Sequence, residues 1–188
     1  MELVQPIRDR KKLNAMKIYL KGKSIRDYLL LMIGISSSLR ISDIRLLQIK
    51  DIWNGKQVMP FIKVKEKKTG KTKKFPVGKN LEAAIKEYIS TYQPASPDDF
   101  VFFSRKGKEP ITRTQALRII KEAGAAVGIT DNLGTHSLRK TWGYWAYQSG
   151  CDLALLSEAF NHTSERVTRR YIGITKEDID NIYIKLNL

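Results

Sequence analysis

Two runs of helix-spaced apolar residues open the chain. Residues 6–21 are predicted to form a basic amphipathic helix. Its apolar stripe consists of Ile7, Leu13, Met16 and Leu20. Ser24 then provides the N-cap of a second helix, SIRDYLLLMIGI, which is apolar on nearly every side. Such a helix has to be buried, so we expect it at the domain centre. A turn of three serines, residues 36–38 (the serine turn), then leads to a short helix with Ser42 as its predicted N-cap.

From Met59 onward, apolar and polar positions alternate on both sides of Thr69 and Gly70. This pattern predicts a β-hairpin with a charged tip. The next predicted helix has its apolar positions at Leu81, Ala84, Ile85, Tyr88, Ile89 and Tyr92. The segment 99–104, DFVFFS, is predicted to be a short strand, and Thr112 is predicted to cap a further helix. The apolar stripe of that helix consists of Ala116, Ile120, Ala123 and Val127.

The last third of the chain is predicted to be helical. Its helices are expected to start near His136, Asp152, Thr163 and Thr175. The last of them opens with Thr175-x-x-Asp178, which resembles a capping box. Its apolar stripe consists of Ile179, Ile182, Tyr183 and Leu186. The expected fold class is therefore mostly α with a small antiparallel β-sheet, an α+β architecture.

Composition and charge restrict the classes of function. The 188 residues carry 34 Lys+Arg and 19 Asp+Glu, a formal net charge of +15, and this length predicts one domain, residues 1–188. One cysteine and two histidines exclude a disulfide framework and argue against a metal site. The sequence has neither an apolar run that could span a bilayer nor a secretion leader, so we expect a cytoplasmic protein. The positive charge indicates a polyanionic partner, with nucleic acid preferred to an anionic membrane surface.

Two segments near the end of the chain carry side chains suited to phosphate chemistry. His136 and Arg139 lie at positions i and i+3 of a predicted helix, so both can face one phosphate. The alternative is a half-buried histidine beside a solvated arginine. Tyr171 lies nine residues beyond His162 at the end of a helix that Gly173 terminates, where its hydroxyl can project outward. The alternative is a tyrosine that is packed in the core.

Two earlier segments add positive charge to this set. Arg40 lies just past the buried helix, so it can point from the domain centre into a cleft. The alternative is a surface arginine that pairs with Asp43, three residues further on. The hairpin segment KEKKTGKTKK can place a basic tip in a groove of DNA, whereas simple solvation is the alternative for most of its lysines.

Taken in this order and spacing, these residues resemble the catalytic set of the tyrosine recombinases, the phage integrase family. LRISDIRLLQIKDI resembles the first arginine box of the family, and THSLRKTWGYWAYQSG resembles the second. FNHTSERVTRRYIGI resembles the box that holds the nucleophile. The sequence departs from the usual pattern at Phe160-Asn161, where many relatives have Leu-Gly, and at Lys140, where histidine is common.

The resemblance implies a site-specific recombinase or integrase that cleaves and rejoins DNA through a 3′-phosphotyrosyl intermediate, without a metal ion, ATP or a cofactor. Tyr171 is the implied nucleophile. The other implied catalytic residues are Arg40, Lys68, His136, Arg139 and His162. Lys68 is the implied general acid, and Lys71 is the alternative for that role.

The start of the helix that Thr112 caps is the predicted DNA contact outside this site. Backbone N–H groups at a helix N-terminus favour phosphate, and Arg113 and Gln115 can reach base edges. Ordinary capping and solvation are the alternative for these three residues. Lys71 and Lys140 complete the predicted DNA-binding set.

The resemblance also carries expectations about assembly. Most relatives have an N-terminal core-binding domain, which this chain is expected to lack. Residues 175–188 are expected to form a helix that docks on a neighbouring subunit, as the resemblance implies; the alternative is a helix that folds back onto its own domain. The active species is then a homo-oligomer, a tetramer, on paired sites of double-stranded DNA in the nucleoid. Two other functions stay open: a type IB topoisomerase-like enzyme and a non-catalytic DNA-binding protein on the same scaffold.

Overall fold

The computed structural model describes residues 4–66, 70–104 and 109–174, together with positions 180, 183, 184 and 186. Within these residues the helices are α1 (Arg10–Lys23), α2 (Ile25–Ser36), α3 (Ile41–Ile44), α4 (Ile49–Ile52), α5 (Lys79–Tyr92), α6 (Arg113–Ala126), α7 (Ser137–Gln148), α8 (Leu153–Phe160) and α9 (Glu165–Ile172). An antiparallel sheet consists of β1 (Phe61–Lys65) and β2 (Thr72–Pro76). The predicted fold class is confirmed. No helix in this described part is both long and apolar enough to cross a membrane.

Helix α2 lies at the centre of the main core, as its apolar pattern predicted. The Ser24 hydroxyl accepts a hydrogen bond from Asp27 N at 3.3 Å, so the predicted N-cap is confirmed. The helix packs against α1, α5 and α7. Gly34, near the end of α2, lies directly against Leu138 of α7. The serine turn that follows α2 is therefore carried next to the helix that holds Arg139.

Helix α1 begins at Arg10 rather than at residue 6 as predicted. The Asp9 carboxylate accepts a hydrogen bond from Lys11 N at 2.7 Å, which caps the helix at this point. The apolar residue Ile7 is buried, but its backbone N–H donates to the Thr141 hydroxyl at 2.8 Å. The first apolar position of the predicted stripe thus belongs to an extended segment that is anchored on α7.

Strands β1 and β2 form the predicted hairpin. Their register runs from the pair Phe61–Pro76 to the pair Lys65–Thr72. The hairpin prediction is confirmed over both strands. The tip at residues 67–69 lies outside the described residues.

The segment 99–104 is not the strand that its sequence predicted. It forms only single bridges, at Phe100 and Phe103. Val101 and Phe102 are both fully buried in the main core. The apolar run thus reflects a buried turn, in which consecutive side chains point inward. In a half-buried strand, apolar and polar side chains would have alternated.

Two predicted N-caps are wrong by one or two positions. Arg40, rather than Ser42, occupies the N-cap position of α3. Ser164, rather than Thr163, caps α9. A cap residue has extended backbone angles, and Ser164 has them, at φ −161° and ψ 159°.

Other predicted helix ends are confirmed. Thr112 caps α6, because its hydroxyl accepts a hydrogen bond from Gln115 N at 3.1 Å. Asp152 caps α8 by accepting one from Ala154 N at 2.7 Å. Gly173 ends α9 with a φ of +76°, in the left-handed region that favours glycine.

The predicted terminal helix falls mostly outside the described residues, including Thr175, Ile179 and Ile182. Two residues of its stripe, Tyr183 and Leu186, are described, and they are 76% and 58% exposed. The described part of the chain therefore leaves these two apolar side chains largely uncovered.

Helices α8 and α9 form a second, small core with α7. Leu156, Phe160 and Ile172 are buried in it. Gly143 of α7 permits this packing, because a Cβ atom at Gly143 would lie 2.5 Å from the Phe160 ring and 2.7 Å from Ile172. The placement of α9, and with it of Tyr171, depends on this close approach.

We expect Gly143→Ala to lower the free energy of unfolding by about 1–3 kcal/mol, because the added methyl group overpacks the small core. Urea denaturation measures the change. Gly22→Ala is the matched control, since nothing lies within 4 Å of a Cβ atom at that helical position. Removal of a helical glycine there is expected to stabilise the protein by up to about 1 kcal/mol. Equal stability of Gly143→Ala and the wild type would contradict the close packing.

Candidate active site

Arg139 is fixed in the interior of the protein, in the first turn of α7. Its guanidinium donates hydrogen bonds to the carbonyl oxygens of Ser38 and, at 2.8 Å, of Phe160. It also lies over the Phe160 ring, with 4.9 Å between Cζ and the ring centroid. The side chain therefore joins the serine turn after α2 to the end of α8.

Arg40 approaches the same point from the start of α3. Its Nη1 lies 2.8 Å from Glu66 Oε1, and Nη1 of Arg139 lies 3.7 Å from the same oxygen. The Glu66 side chain is 0% exposed, and that of Arg40 is 18% exposed. Two guanidinium groups thus converge on one buried carboxylate, and only Arg40 among these three side chains extends appreciably toward the surface.

Tyr171 and His136 meet across the site. His136 immediately precedes α7, and Tyr171 lies in the last turn of α9. His136 Nδ1 lies 3.2 Å from the Tyr171 hydroxyl oxygen, and the two rings are nearly perpendicular, at 86°. Tyr171 is therefore more than a packed aromatic residue, because its hydroxyl contacts a group that can accept its proton.

The surroundings of His136 and Tyr171 shift the pKa of both side chains. Burial raises the pKa of Tyr171 above its usual value, and the positive charges of Arg139 and Arg40 oppose that rise. Burial lowers the pKa of His136, and the charges of Arg113 and Arg139 act in the same direction. His136 is therefore neutral at pH 7, with a lone pair available for the tyrosine proton.

His162 also contacts Tyr171. Its ring stacks on Phe160 with 5.0 Å between centroids and meets the Tyr171 ring edge-on at 4.9 Å. Its Nδ1 lies 3.0 Å from the buried hydroxyl oxygen of Thr168. Burial and then the charge of Arg139 lower the pKa of His162 to about 4. The ring is therefore also neutral at pH 7, and Thr168 fixes its orientation.

The site includes two residues that the sequence did not predict, Lys73 and Glu66. Lys73 Nζ lies 3.1 Å from Ser38 Oγ, 2.5 Å from Ala159 O and 3.4 Å from Glu66 Oε1. Burial lowers the pKa of Lys73, the charge of Arg139 lowers it further, and the contact with Glu66 opposes both. Lys73 therefore ties β2 to the serine turn and to α8.

Both residues have a signal in the sequence. Strand alternation puts Lys73 on the same face of β2 as Phe75, two residues further on. Glu66 is the single acidic residue in the run KVKEKKTGKTKK. A lone carboxylate among so many lysines is a candidate for an internal ion pair. The alternation of side chains along a strand indicates which of them face the interior.

The three positive side chains around Glu66 form what we call the cation cluster: Arg40, Lys73 and Arg139. Together with the Glu66 carboxylate they carry a net charge of +2, from three cations and one anion. In residues 4–66, 70–104 and 109–174, no group of three His, Cys, Asp or Glu side chains is arranged to hold a metal ion. The described groups of this site are suited to an anion such as phosphate.

The three lysines that were predicted to act as general acid or to contact DNA differ in their surroundings. Lys68 lies outside the described residues, so its role as general acid stays a prediction. Lys71 is exposed on the hairpin. Lys140 is buried, and its ammonium donates to Val4 O at 2.8 Å while lying over the Tyr171 ring. A DNA contact by Lys140 is not supported by this position, because the ammonium group is used inside the protein.

The start of α6 lies beside the site. Thr112 and Gln115 form a capping box, in which Thr112 N donates to the Gln115 side-chain oxygen at 2.7 Å. Arg113 donates to the Thr135 hydroxyl at 3.1 Å, and its charge contributes to the lowered pKa of His136. Capping thus accounts for Thr112 and Gln115, and the DNA contacts of all three residues stay predictions.

The two histidines should make the stability of the protein depend on pH. Both have a pKa below the usual 6.5 in the folded state, and that of His162 is about 4. Between pH 6.5 and about 4, the unfolded chain therefore takes up protons that the folded site excludes. We expect the free energy of unfolding to fall as the pH falls through this range. Urea denaturation between about pH 7 and pH 5 measures the change.

The matched variant for this prediction is His162→Gln, which removes one of the two titrating rings. Its free energy of unfolding should fall less steeply than that of the wild type over the same pH range. Equal slopes for the variant and the wild type would contradict a neutral, buried His162.

Known proteins share this arrangement of sequence and fold. Residues 9–178 match the phage integrase family. Over 177 residues the chain is 42% identical to the "Probable integrase/recombinase YoeC" of Bacillus subtilis (strain 168), which covers 94% of this chain and 93% of that protein. The chain belongs to the phage integrase family. The resemblance to the tyrosine recombinases is confirmed, and membership assigns this integrase-family protein to the DNA breaking-and-rejoining enzymes of site-specific recombination.

Solved structures of recombinases share the fold of this integrase-family protein. A crystal structure of XerA recombinase has a TM-score of 0.78 at 17% identity and covers 100% of this chain and 66% of that chain. A post-cleavage complex of XerH bound to palindromic difH substrate has a TM-score of 0.74 at 20% identity and covers 97% and 53%. At these identities the likeness concerns the fold. The chain spans between half and two thirds of the length of these two recombinase chains.

Proposed function

We propose that this integrase-family protein recombines double-stranded DNA at specific sites by attack of the Tyr171 hydroxyl on a phosphodiester. The observation that carries the proposal is the 3.2 Å contact between that hydroxyl and His136 Nδ1. The charges of Arg139 and Arg40 act on the same tyrosine. A nucleophile, a base and an anion clamp are therefore available in one site.

The attack step uses Tyr171 and His136. The tyrosine oxygen bonds to phosphorus, its proton passes to Nδ1 of the neutral imidazole, and the bond from phosphorus to the DNA 5′ oxygen breaks. The products are a 3′-phosphotyrosyl linkage and a 5′ hydroxyl. Attack by the 5′ hydroxyl of a second duplex reverses the step and rejoins the strands. Because the linkage conserves the energy of the phosphodiester, no ATP is needed.

The clamp consists of Arg40 and Arg139. Negative charge grows on the non-bridging oxygens as the nucleophile attacks, and charge-assisted hydrogen bonds from guanidinium groups stabilise it. The backbone contacts of Arg139 keep it in place before the substrate arrives. These protein cations supply the charge that a metal ion supplies in other phosphoryl-transfer enzymes, so we propose that the reaction is metal-independent.

His162 holds a non-bridging oxygen in this proposal. A neutral imidazole has one N–H group, and its position depends on the partner of the other nitrogen. We assign the Thr168 hydroxyl as donor to Nδ1 of His162. In this assignment the single hydroxyl proton of Ser157 goes to the Thr168 oxygen, at 2.7 Å, and not to Leu153 O, which also lies at 2.7 Å. The remaining N–H, on Nε2, then donates to the phosphate.

A general acid must protonate the leaving 5′ oxygen, and we propose Lys68, with Lys71 as the alternative. Lys73 is better suited to positioning. An ammonium group has three donors, and those of Lys73 meet Ser38 Oγ, Ala159 O and the Glu66 carboxylate. A lysine with all its donors engaged inside the protein is poorly placed to give up a proton to a leaving group.

We further propose that the protein works as a homo-tetramer on paired DNA sites, in the cytoplasm and on the nucleoid. A lambda integrase chain of similar fold, with a TM-score of 0.68, has been solved as a tetramer bound to a Holliday junction. The exposure of Tyr183 and Leu186 supports docking of the terminal segment on a neighbouring subunit. The net charge of +15 suits a DNA partner.

Trapping on a nicked suicide duplex tests the proposed chemistry, because loss of the short cleaved fragment makes the covalent step irreversible. A protein–DNA adduct that survives denaturation is expected. Binding without an adduct would favour the non-catalytic alternative. An adduct together with relaxation of supercoiled DNA, but without two-site products, would favour the topoisomerase alternative.

Deletion of residues 176–188 is expected to spare binding to a single duplex and to impair synapsis of two sites, because it removes exposed apolar side chains that can dock on another subunit. Sedimentation with one-site and with two-site DNA measures the difference. A matched control replaces Ile18, which is 73% exposed on α1, with serine. A truncated protein that assembles and recombines as well as the full chain would refute the docking of this segment on a neighbouring subunit.

A further inference from the structure

The carboxylate of Glu66 is buried within the cation cluster. Its side chain is 0% exposed, and Oε1 lies 2.8 Å from Arg40 Nη1, 3.4 Å from Lys73 Nζ and 3.7 Å from Arg139 Nη1. Its other oxygen, Oε2, lies 3.5 Å from the side-chain nitrogen of Asn161. The carboxylate is therefore less exposed than the Arg40 and Lys73 side chains, which are 18% and 14% exposed.

The backbone of Glu66 is bonded to two residues on the β2 side of the hairpin. Glu66 N donates to Lys71 O at 2.9 Å, and Glu66 O accepts from Gly70 N at 2.8 Å. In the sequence, Lys68, the proposed general acid, lies between Glu66 and Gly70. A single residue is thus bonded through its backbone to Gly70 and Lys71 and through its side chain to the clamp.

The charge of Glu66 matches what the reaction requires. Three like charges so close together repel one another, and an anion between them offsets that repulsion. A phosphodiester carries one negative charge, and attack by a tyrosinate adds a second in the transition state. With Glu66 ionised, the net charge of +2 balances the transition state rather than the ground state.

We propose that Glu66 is a positioning residue for DNA cleavage, whose buried carboxylate holds Arg40 and Lys73 beside Arg139 and whose backbone ties Gly70 and Lys71 of the hairpin to this clamp. The proposal rests on the proposed function, since positioning matters only if the clamp meets a phosphodiester. It adds a requirement for a negative charge at the base of a site that binds an anion.

Glu66→Gln tests this requirement, because it keeps the size of the side chain and removes the charge. We expect the variant to bind duplex DNA at least as tightly as the wild type, since loss of the carboxylate raises the net charge of the protein by one. At saturating DNA it should form the covalent adduct about 10-fold to 100-fold more slowly, because the clamp is no longer held in place. A purely structural role would instead lower binding and the melting temperature together.

The matched control is Glu82→Gln. Glu82 pairs with Lys86 at 2.6 Å on the exposed face of α5, so this variant gains the same charge away from the site. It should bind DNA like Glu66→Gln and cleave at the wild-type rate. Cleavage by Glu66→Gln at the wild-type rate would overturn the positioning role. Absence of an adduct from the wild-type protein would overturn the proposed function instead.

A second measurement needs no cleavage. The contact with Glu66 raises the pKa of Lys73 against the effects of burial and of Arg139. NMR titration of lysines labelled at Cε should therefore give a lower pKa for Lys73 in Glu66→Gln than in the wild type. An unchanged pKa would overturn the proposal even in an inactive protein.

Glu66→Asp keeps the test valid if Glu66→Gln does not fold. The aspartate retains the charge but is shorter by one methylene group, so it cannot reach Arg40 and Lys73 with the same geometry. We expect it to form the adduct more slowly than the wild type while binding DNA equally well. Adduct formation at the wild-type rate would again overturn the role of Glu66.

Discussion

Tyr171→Phe is expected to bind duplex DNA almost as the wild type does and to form no covalent adduct with it. The substitution removes one hydroxyl group and leaves the ring, which packs beside Phe160 and His162. The hydroxyl lost is the one 3.2 Å from His136 Nδ1. Denaturing electrophoresis of the reaction on a nicked suicide duplex measures the adduct, and fluorescence anisotropy measures binding.

The control for this prediction is Tyr183→Phe, which makes the same chemical change at an exposed position. It should form the adduct in normal yield on a single-site substrate. An adduct of normal yield from Tyr171→Phe would show that another residue is the nucleophile. Loss of the adduct from Tyr183→Phe alone would identify that residue.

Arg40→Ala and Arg139→Ala are each expected to slow cleavage by a factor of about 100 or more, because each removes charge stabilisation from the transition state. Arg139→Ala should also destabilise the protein, since its guanidinium bonds the carbonyl oxygens of Ser38 and Phe160. Arg40 is partly exposed, so its variant separates the catalytic effect from the structural one. Single-turnover rates and melting temperatures measure both effects.

A substrate with sulfur in place of the leaving 5′ oxygen distinguishes the clamp from the general acid. A thiolate leaves without a proton but still needs the phosphate to be clamped. The sulfur substrate should therefore restore cleavage by Lys68→Ala and should not restore cleavage by Arg40→Ala. Restoration of Lys71→Ala or Lys73→Ala instead would mean that the acid has been assigned to the wrong lysine.

Local signals in the sequence predicted most elements of this fold. The Ser24 and Thr112 caps, the β-hairpin and the stop at Gly173 depend on residues that are close in sequence, so their patterns can be recognised without the tertiary structure. The segment 99–104 was misjudged because burial in a turn and burial in a strand give the same short apolar run. Periodicity over six residues cannot separate the two.

The residues of the candidate site likewise fall into those that the sequence indicated and those that only the structure shows. Residue types and spacing, together with the family resemblance, indicated Arg40, His136, Arg139, His162 and Tyr171 before any coordinates. The structure brings these five together and adds Lys73 and Glu66. It also places Lys140 in the interior, where the sequence predicted a DNA contact.

The sequence by itself determined the family, the mostly helical fold and the chemistry available to the protein, because helix caps, strand alternation and reactive side chains are local properties of the chain. Only the tertiary structure decided which charges face one another. The contact between Glu66 and Arg139 joins residues 73 positions apart, and it forms only when the folded chain brings the residue after β1 to the first turn of α7. The burial that lowers the pKa of His162 and of Lys73 likewise exists only once distant segments have excluded water from the site.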